Sequence, residues 1–279
     1  KVDGVMDVAI KDGRIARVGD ATSGAVVPVT VLHNNDSHGN LAKGTYVGYT
    51  QLATLIKREQ AHNPDRNLLL QAGDQIQGDT MMYFYRTAPL GYASDGTPLP
   101  AELHLHPMMA VMNALGYDAW TLGNHEFNFG NTIFKAVLKQ SASPVLSANL
   151  EDDGRYGLAE VPVKDYTVVH VPDGAGGTID VAVLGIGNHR VPNYELPSNI
   201  VGLTFTDPID KAKELAPVLQ DFNDAVIALT HIGFTSNPSS VEVDTRVDTE
   251  LAKEATGVDA IIGGHSHTDP SKQTSASGS

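Results

Sequence analysis

Val29-Thr30-Val31-Leu32 runs directly into His33-Asn34-Asn35-Asp36-Ser37-His38-Gly39. A short β-branched run that breaks at once into glycine and metal-ligand side chains predicts a strand of an α/β fold with a chemically loaded loop behind it. The pattern recurs. Leu68-Leu69-Leu70 leads to Gly73-Asp74-Gln75-Ile76-Gln77-Gly78, and Ala119-Trp120-Thr121-Leu122 leads to Gly123-Asn124-His125-Glu126. Ala225-Val226-Ile227-Ala228-Leu229 leads to Thr230-His231, and Ala260-Ile261-Ile262 to Gly263-Gly264-His265-Ser266-His267-Thr268. In α/β sheets the loops beyond the carboxyl ends of the strands gather into one crevice, so these five motifs are expected to converge.

Further strands are expected at Val145-Leu146-Ser147 and Val181-Ala182-Val183-Leu184, and helices at 49–60, 107–115, 132–140 and 207–220. Asp207-Pro208 suits a helix start, with Asp as N-cap and Pro at the first helical position. Residues 1–27 alternate around Asp12-Gly13 as a β-hairpin appendage to a catalytic domain at 28–270. Gly-, Pro- and Ser-rich loops are expected at 88–100 and 172–177, and a polar tail at 271–279.

With 279 residues, 41% of them hydrophobic, the chain can bury a substantial core. No apolar run approaches the roughly 18 to 20 residues of a membrane-spanning helix. A net charge of −14 disfavours long nucleic acid as a partner. A small phosphate compound stays within reach, because bound divalent ions invert the local field. The absence of cysteine rules out disulfides, thiolate catalysis and cysteine-bound zinc, so any metal must bind through N and O ligands. The chain starts at Lys1 without Met, as expected of a processed or trimmed product.

The ligand mixture suits such ions. Imidazoles fit zinc, manganese, iron or cobalt, a carboxylate can bridge two ions, and an amide oxygen adds a ligand without charge. In Asp36-x-His38 and His265-x-His267 the spacing is expected to place both side chains on one side of an extended segment.

These motifs, in this order over 29–268, resemble the calcineurin-like metallophosphoesterases, and within them the 5′-nucleotidase and 2′,3′-cyclic-nucleotide phosphodiesterase branch. The resemblance implies a sandwich of two mixed β-sheets flanked by helices. It implies one metal site from Asp36, His38, Asp74 and His267, and a second from Asp74, Asn124, His231 and His265, with Asp74 bridging. The cofactors would be two divalent ions, drawn from zinc, manganese, iron, cobalt or magnesium. Such ions polarise phosphoryl oxygens and acidify water for in-line attack at phosphorus. His125 would face the phosphate and either stabilise the transition state or protonate the leaving oxygen. The substrate would be a small phosphate ester of a nucleotide, and the location extracytoplasmic.

Two departures stand out. Nucleotidases of this family commonly carry Asp three residues after the catalytic His, where this chain has Asn128, a feature closer to the cyclic-phosphodiesterase branch. Members also continue into a C-terminal domain that stacks the nucleobase, whereas this chain stops at Ser279, so the expectation is either a trimmed catalytic domain or one without base recognition, and tight base specificity is not expected from it. The rival reading is a surface or binding module that retains the metal site as scaffold. Of the remaining candidates, His104 and His106 are expected at a solvated helix start, Tyr83, Phe84 and Tyr85 mainly in the core, and Asn188-His189 away from the site.

Overall fold

The three leucines of Leu68-Leu69-Leu70 are all buried, and the two-residue period of a strand divides them between two layers. Leu68 and Leu70 meet Val31, Val181, Val183, Ile227 and Leu229 in one core, while Leu69 joins Trp120, Phe134 and Met109 in another. A strand buried on both faces reads as a continuous apolar run, which is the pattern that marks the strands here.

The computed structural model describes residues 9–11, 14–17, 27–42, 48–87, 91, 93, 95–98, 104–235 and 244–268. The Asp12-Gly13 turn, the tail at 271–279 and much of the loop at 88–100 lie outside these residues. Strands β1 (Ala9–Lys11) and β2 (Arg14–Arg17) pair antiparallel as a sheet of their own. Next come β3 (Thr30–Asn34), β4 (Asn67–Gln71), β5 (Ala119–Thr121), β6 (Val145–Leu146) and, past β7 (Leu150–Asp152), β8 (Val163–Lys164). A five-stranded sheet runs in the order β3-β4-β5-β6-β8, parallel at every pairing.

The second sheet uses β9 (Tyr166–Pro172), β10 (Thr178–Ile186), β12 (Ala225–Thr230) and β13 (Ala260–Ile262), in the order β13-β12-β10-β9. It is mixed, since β9 and β10 form an antiparallel hairpin around 173–177 and the other pairs are parallel. Among the described residues, strand β11 (Leu203–Phe205) pairs with β7 alone. The α/β architecture is as expected, except that the first sheet, expected to be mixed, is parallel throughout its described strands.

Helices α1 (Tyr49–Gln60), α2 (Thr80–Thr87), α3 (Pro107–Leu115) and α4 (Gly130–Leu138) bury Tyr49, Met82, Met109 and Phe134 on the outer face of the first sheet. After the single turn α5 (Val191–Tyr194), α6 (Pro208–Phe222) and α7 (Asp248–Glu254) cover the second with Ile209, Ala212, Ala216 and Leu251. Asp207 caps α6 as expected, accepting from Ile209 N at 2.9 Å and Asp210 N at 3.1 Å. Helix α4 starts two residues earlier than the apolar pattern suggested, with a left-handed Gly130 as its first residue.

The sheets touch at the end where the functional loops emerge. Ala148 N donates to Gly185 O at 2.8 Å, and the Asn149 amide clasps Gly187 through both its backbone groups, at 2.8 and 2.9 Å. A Cβ on Gly185 would lie 2.2 Å from Leu146 Cβ, with backbone close behind, so only glycine fits this crossing. Gly185→Ala is expected to lower unfolding stability by about 1–3 kcal/mol, as overpacking does, measured as a fall in the denaturant midpoint with the slope unchanged.

Candidate metal centre

Each sheet supplies part of the site. From the first come Asp36 and His38 beyond β3, Asp74 beyond β4, and Asn124 and His125 beyond β5; from the second come His231 beyond β12 and His265 and His267 beyond β13. The loops continue the hydrogen bonding of the strands into one another: Asp36 N donates to Gly73 O at 3.0 Å, His38 N to Asp74 O at 2.9 Å and His231 N to Ile186 O at 2.8 Å.

The local backbone is unusual. Among the described residues the non-glycine positions with positive φ are Asp36, His38, Asp74, His265 and His267, at 48°, 46°, 60°, 80° and 48°. All five belong to the expected ligand set. The two Asp/His-x-His pairs are therefore not extended segments, contrary to the reading from their spacing; left-handed turns bring their side chains together. Such conformations cost of order 1–3 kcal/mol each and persist where surrounding structure fixes them.

Three groups of ligand atoms result: Asp36, His38 and His267; His38, Asp74 and His125; and Asp74, His231 and His265. Asp36 Oδ1 lies 3.2 Å from His267 Nε2, and His38 Nε2 lies 3.2 Å from the same nitrogen. His38 Nδ1 stands 3.1 Å from the Gln77 carbonyl, which only accepts, so its Nε2 is the lone-pair nitrogen. Asp74 Oδ2 lies 3.0 Å from His231 Nε2 and 3.9 Å from His38 Nε2, between the two groups. The Asn124 amide oxygen is 2.8 Å from His265 Nδ1.

His231 is completely buried. Its Nδ1 is 2.5 Å from the Ala72 carbonyl and must donate there, leaving Nε2 aimed at two carboxylates with no hydrogen-bond partner. Lone pairs of carboxylates and imidazoles thus face one another across about one cation's width, and this donor set fits divalent ions through oxygen and nitrogen. Gly73 makes room for it: at φ +88° it is left-handed, and a Cβ there would sit 2.4 Å from His231 Nδ1.

Burial alone would strip His231 of its proton, but the Asp74 and Asp36 carboxylates outweigh it and push the pKa up to about 10. Burial also opposes the charge on Asp74, yet the His231 cation 3.0 Å away holds its carboxyl well below the usual range. Burial, reinforced by the His231 charge, brings His265 down to about 4, so it is a neutral imidazole at pH 7.

Glu126 is the residue whose role the sequence did not disclose, although it stands inside a motif. It is fully buried and accepts four backbone N–H groups: Asp74 at 2.9 Å and Gly123 at 2.7 Å on Oε2, Gln75 at 2.6 Å and Ile76 at 3.3 Å on Oε1. Burial and the neighbouring Asp74 push its pKa up, while those donors pull it down. The His125 N–H donates to Asp74 Oδ1 at 2.8 Å, so the backbone beside Glu126 also orients the Asp74 carboxylate.

The other candidates fall elsewhere. His106 is buried rather than solvated and caps α3 by accepting from Met108 N. Tyr85 is core, whereas Tyr83 and Phe84 are exposed. Asn188 is buried, and His189 lies 3.8 Å from Asp244, outside the ligand groups.

This fold and this cluster define a metallophosphoesterase. The chain belongs to the calcineurin-like phosphoesterase family, whose pattern matches residues 29–269; members of that family use divalent metal ions. It is 30% identical over 272 residues to the 2′,3′-cyclic-nucleotide 2′-phosphodiesterase/3′-nucleotidase of Yersinia enterocolitica, covering 91% of this chain and 38% of that protein. It is 31% identical over 273 residues to the 5′-nucleotidase of Bos taurus, covering 89% of this chain and 40% of the relative. The crystal structure of the calcineurin-like phosphoesterase YfkN from Bacillus subtilis superposes with a TM-score of 0.69 at 26% identity, over 87% of this chain and 73% of that one. The chain thus spans less than half the length of these two curated relatives.

Two outcomes are expected. Glu126→Gln turns one acceptor oxygen into a donor facing backbone N–H groups, so stability should fall by about 3 kcal/mol and metal affinity by about 10- to 100-fold, read by denaturation and by competition with a chelating dye. In chelated protein the raised His231 pKa contributes stability that is complete below 6.5 and lost as pH climbs toward about 10. The denaturant midpoint should decline across that interval, and metal binding at pH 7 should release protons, measured by calorimetry in buffers of differing ionisation enthalpy.

Proposed function

We propose that this chain hydrolyses phosphate esters of nucleotides with two divalent ions. Asp36, His38, Asp74 and His267 would hold one, and Asp74, Asn124, His231 and His265 the other. The observation that carries the reading is His231 Nε2, buried and without a hydrogen-bond partner, aimed at an Asp74 carboxylate that ligands from both sheets surround. When bound, such ions polarise the phosphoryl oxygens and make water acidic enough to supply the attacking oxygen.

The protein's residues supply the rest. Asp74 is held by the His125 N–H at one oxygen and faces His231 with the other, an orientation suited to sharing. The His125 ring stands 5.0 Å from that of His38, centroid to centroid, at the edge of the ligand groups. Its Nδ1 is 2.5 Å from Asn128 Oδ1 and donates to it, which leaves Nε2 for the substrate. Hydrolysis forms a bond from water oxygen to phosphorus and breaks the bond to the ester oxygen. The proton that the leaving oxygen needs comes from Nε2 of the imidazolium, and the ring returns to its neutral form with Nδ1–H still on Asn128.

The names of the relatives support nucleotides as the substrate class, as monoesters or as 2′,3′-cyclic diesters. An extracytoplasmic location is part of the proposal; among the described residues no helix is long and apolar enough to cross a membrane.

The test is a panel of 5′-monophosphates, 2′,3′-cyclic phosphates and aryl phosphates on protein reloaded with manganese or zinc. Metal-dependent phosphate release is expected, and His125→Ala should lower kcat by about 10²- to 10⁴-fold at nearly unchanged metal content. No turnover of any panel member with any ion would overturn the enzymatic reading in favour of the scaffold module.

A further inference from the structure

Asn128, the amide that replaces the aspartate expected beside His125, does not end the chain of polar contacts. Its Nδ2 donates to Glu195 Oε2 at 2.5 Å, while its Oδ1 faces His125 Nδ1. Glu195 lies just beyond α5, in the connection that leaves the second sheet, and is 9% exposed. Its other oxygen accepts from Leu196 N at 2.6 Å and Asn199 Nδ2 at 3.0 Å, and Asn199 Nδ2 also donates to the Asn128 carbonyl at 3.0 Å. All three donors are neutral amides, so none of them cancels the carboxylate charge.

We infer that Glu195 is a positioning residue for His125, acting through the Asn128 amide to fix which ring nitrogen carries the proton and to place a negative charge one amide away from the ring. The logic is one of donors and acceptors. A carboxylate only accepts, so it takes the NH₂ end of Asn128; the amide oxygen is then turned to His125, and an oxygen compels Nδ1 to carry hydrogen. Nε2 is thereby kept for the phosphate side. An amide alone could rotate by half a turn and present NH₂ to the ring, which would leave the proton on the wrong nitrogen; Glu195 removes that alternative. Hydrogen bonds in series polarise one another, so part of the carboxylate's effect reaches the imidazole. The arrangement divides between two residues what a single aspartate would do.

The catalytic consequence rests on the hydrolase reading above; the tautomer does not. The experiment therefore has two arms on the zinc-loaded protein. In the first, ¹⁵N shifts of the His125 ring report the tautomer: wild type should be Nδ1–H alone, and Glu195→Gln, whose amide can offer either end to Asn128, should show both tautomers. In the second, Glu195→Gln should lower kcat for a nucleoside monophosphate about tenfold more than for 4-nitrophenyl phosphate, whose leaving group needs no proton, with KM little changed. Asn128→Asp in the Glu195→Gln background puts a carboxylate directly on His125 and should restore both signals. If Glu195→Gln does not fold, Asn128→Ala severs the same link while leaving Glu195 on Leu196 and Asn199. A pure Nδ1–H tautomer in the variants, or an equal loss on both substrates, overturns the inference. Wild-type protein with no turnover but a tautomer that responds to Glu195→Gln would remove the hydrolase reading and leave the positioning role standing.

Discussion

The site depends on one buried carboxylate outside the expected ligand set. Glu126 gathers the N–H groups of Asp74, Gln75, Ile76 and Gly123, joining the loops that follow two neighbouring strands. A buried carboxylate is costly to desolvate, and it is tolerable only when its lone pairs are filled. Backbone amides fill them here and in doing so fix the turn that aims Asp74. The candidate ligands sit on loops, but loops tied to one another as closely as strands are.

That rigidity explains how the left-handed residues survive. Asp36, His38 and Asp74 hold conformations that an unconstrained chain would leave, and each is pinned by a backbone hydrogen bond to another loop of the site, while the Asp36 carboxylate accepts the His265 N–H. The strain is thus distributed over a closed set of contacts. It brings nitrogen and oxygen lone pairs within about 3 to 4 Å of one another before any cation is considered.

Much of this was legible in the sequence because strands buried on both faces, such as β4, β5, β10 and β12, read as near-continuous apolar runs. The apolar runs at β3, β4, β5, β10, β12 and β13 were all visible, as were α1, α3 and α6. Helix α2 was not, because Met81-Met82-Tyr83-Phe84-Tyr85 lacks a helical polar face, and β7, β8 and β11 are too short for a period to show. The ligand types and the break after each strand marked the site; its left-handed geometry could not be inferred, since nothing but glycine announces a positive φ. Glu126 and Glu195 were silent for a related reason. Each acts through partners distant in sequence, and no local spacing encodes that.

The division of the candidate ligands between the sheets is also a division along the chain. Asp36, His38, Asp74 and Asn124 precede residue 125, whereas His231 and the His265–His267 pair come from the far end of the domain, beside β12 and the edge strand β13. The early part of the chain therefore carries only part of the candidate cluster. The cluster is complete only with β13 seated at the edge of its sheet, so its geometry reports on the pairing of strands far apart in sequence.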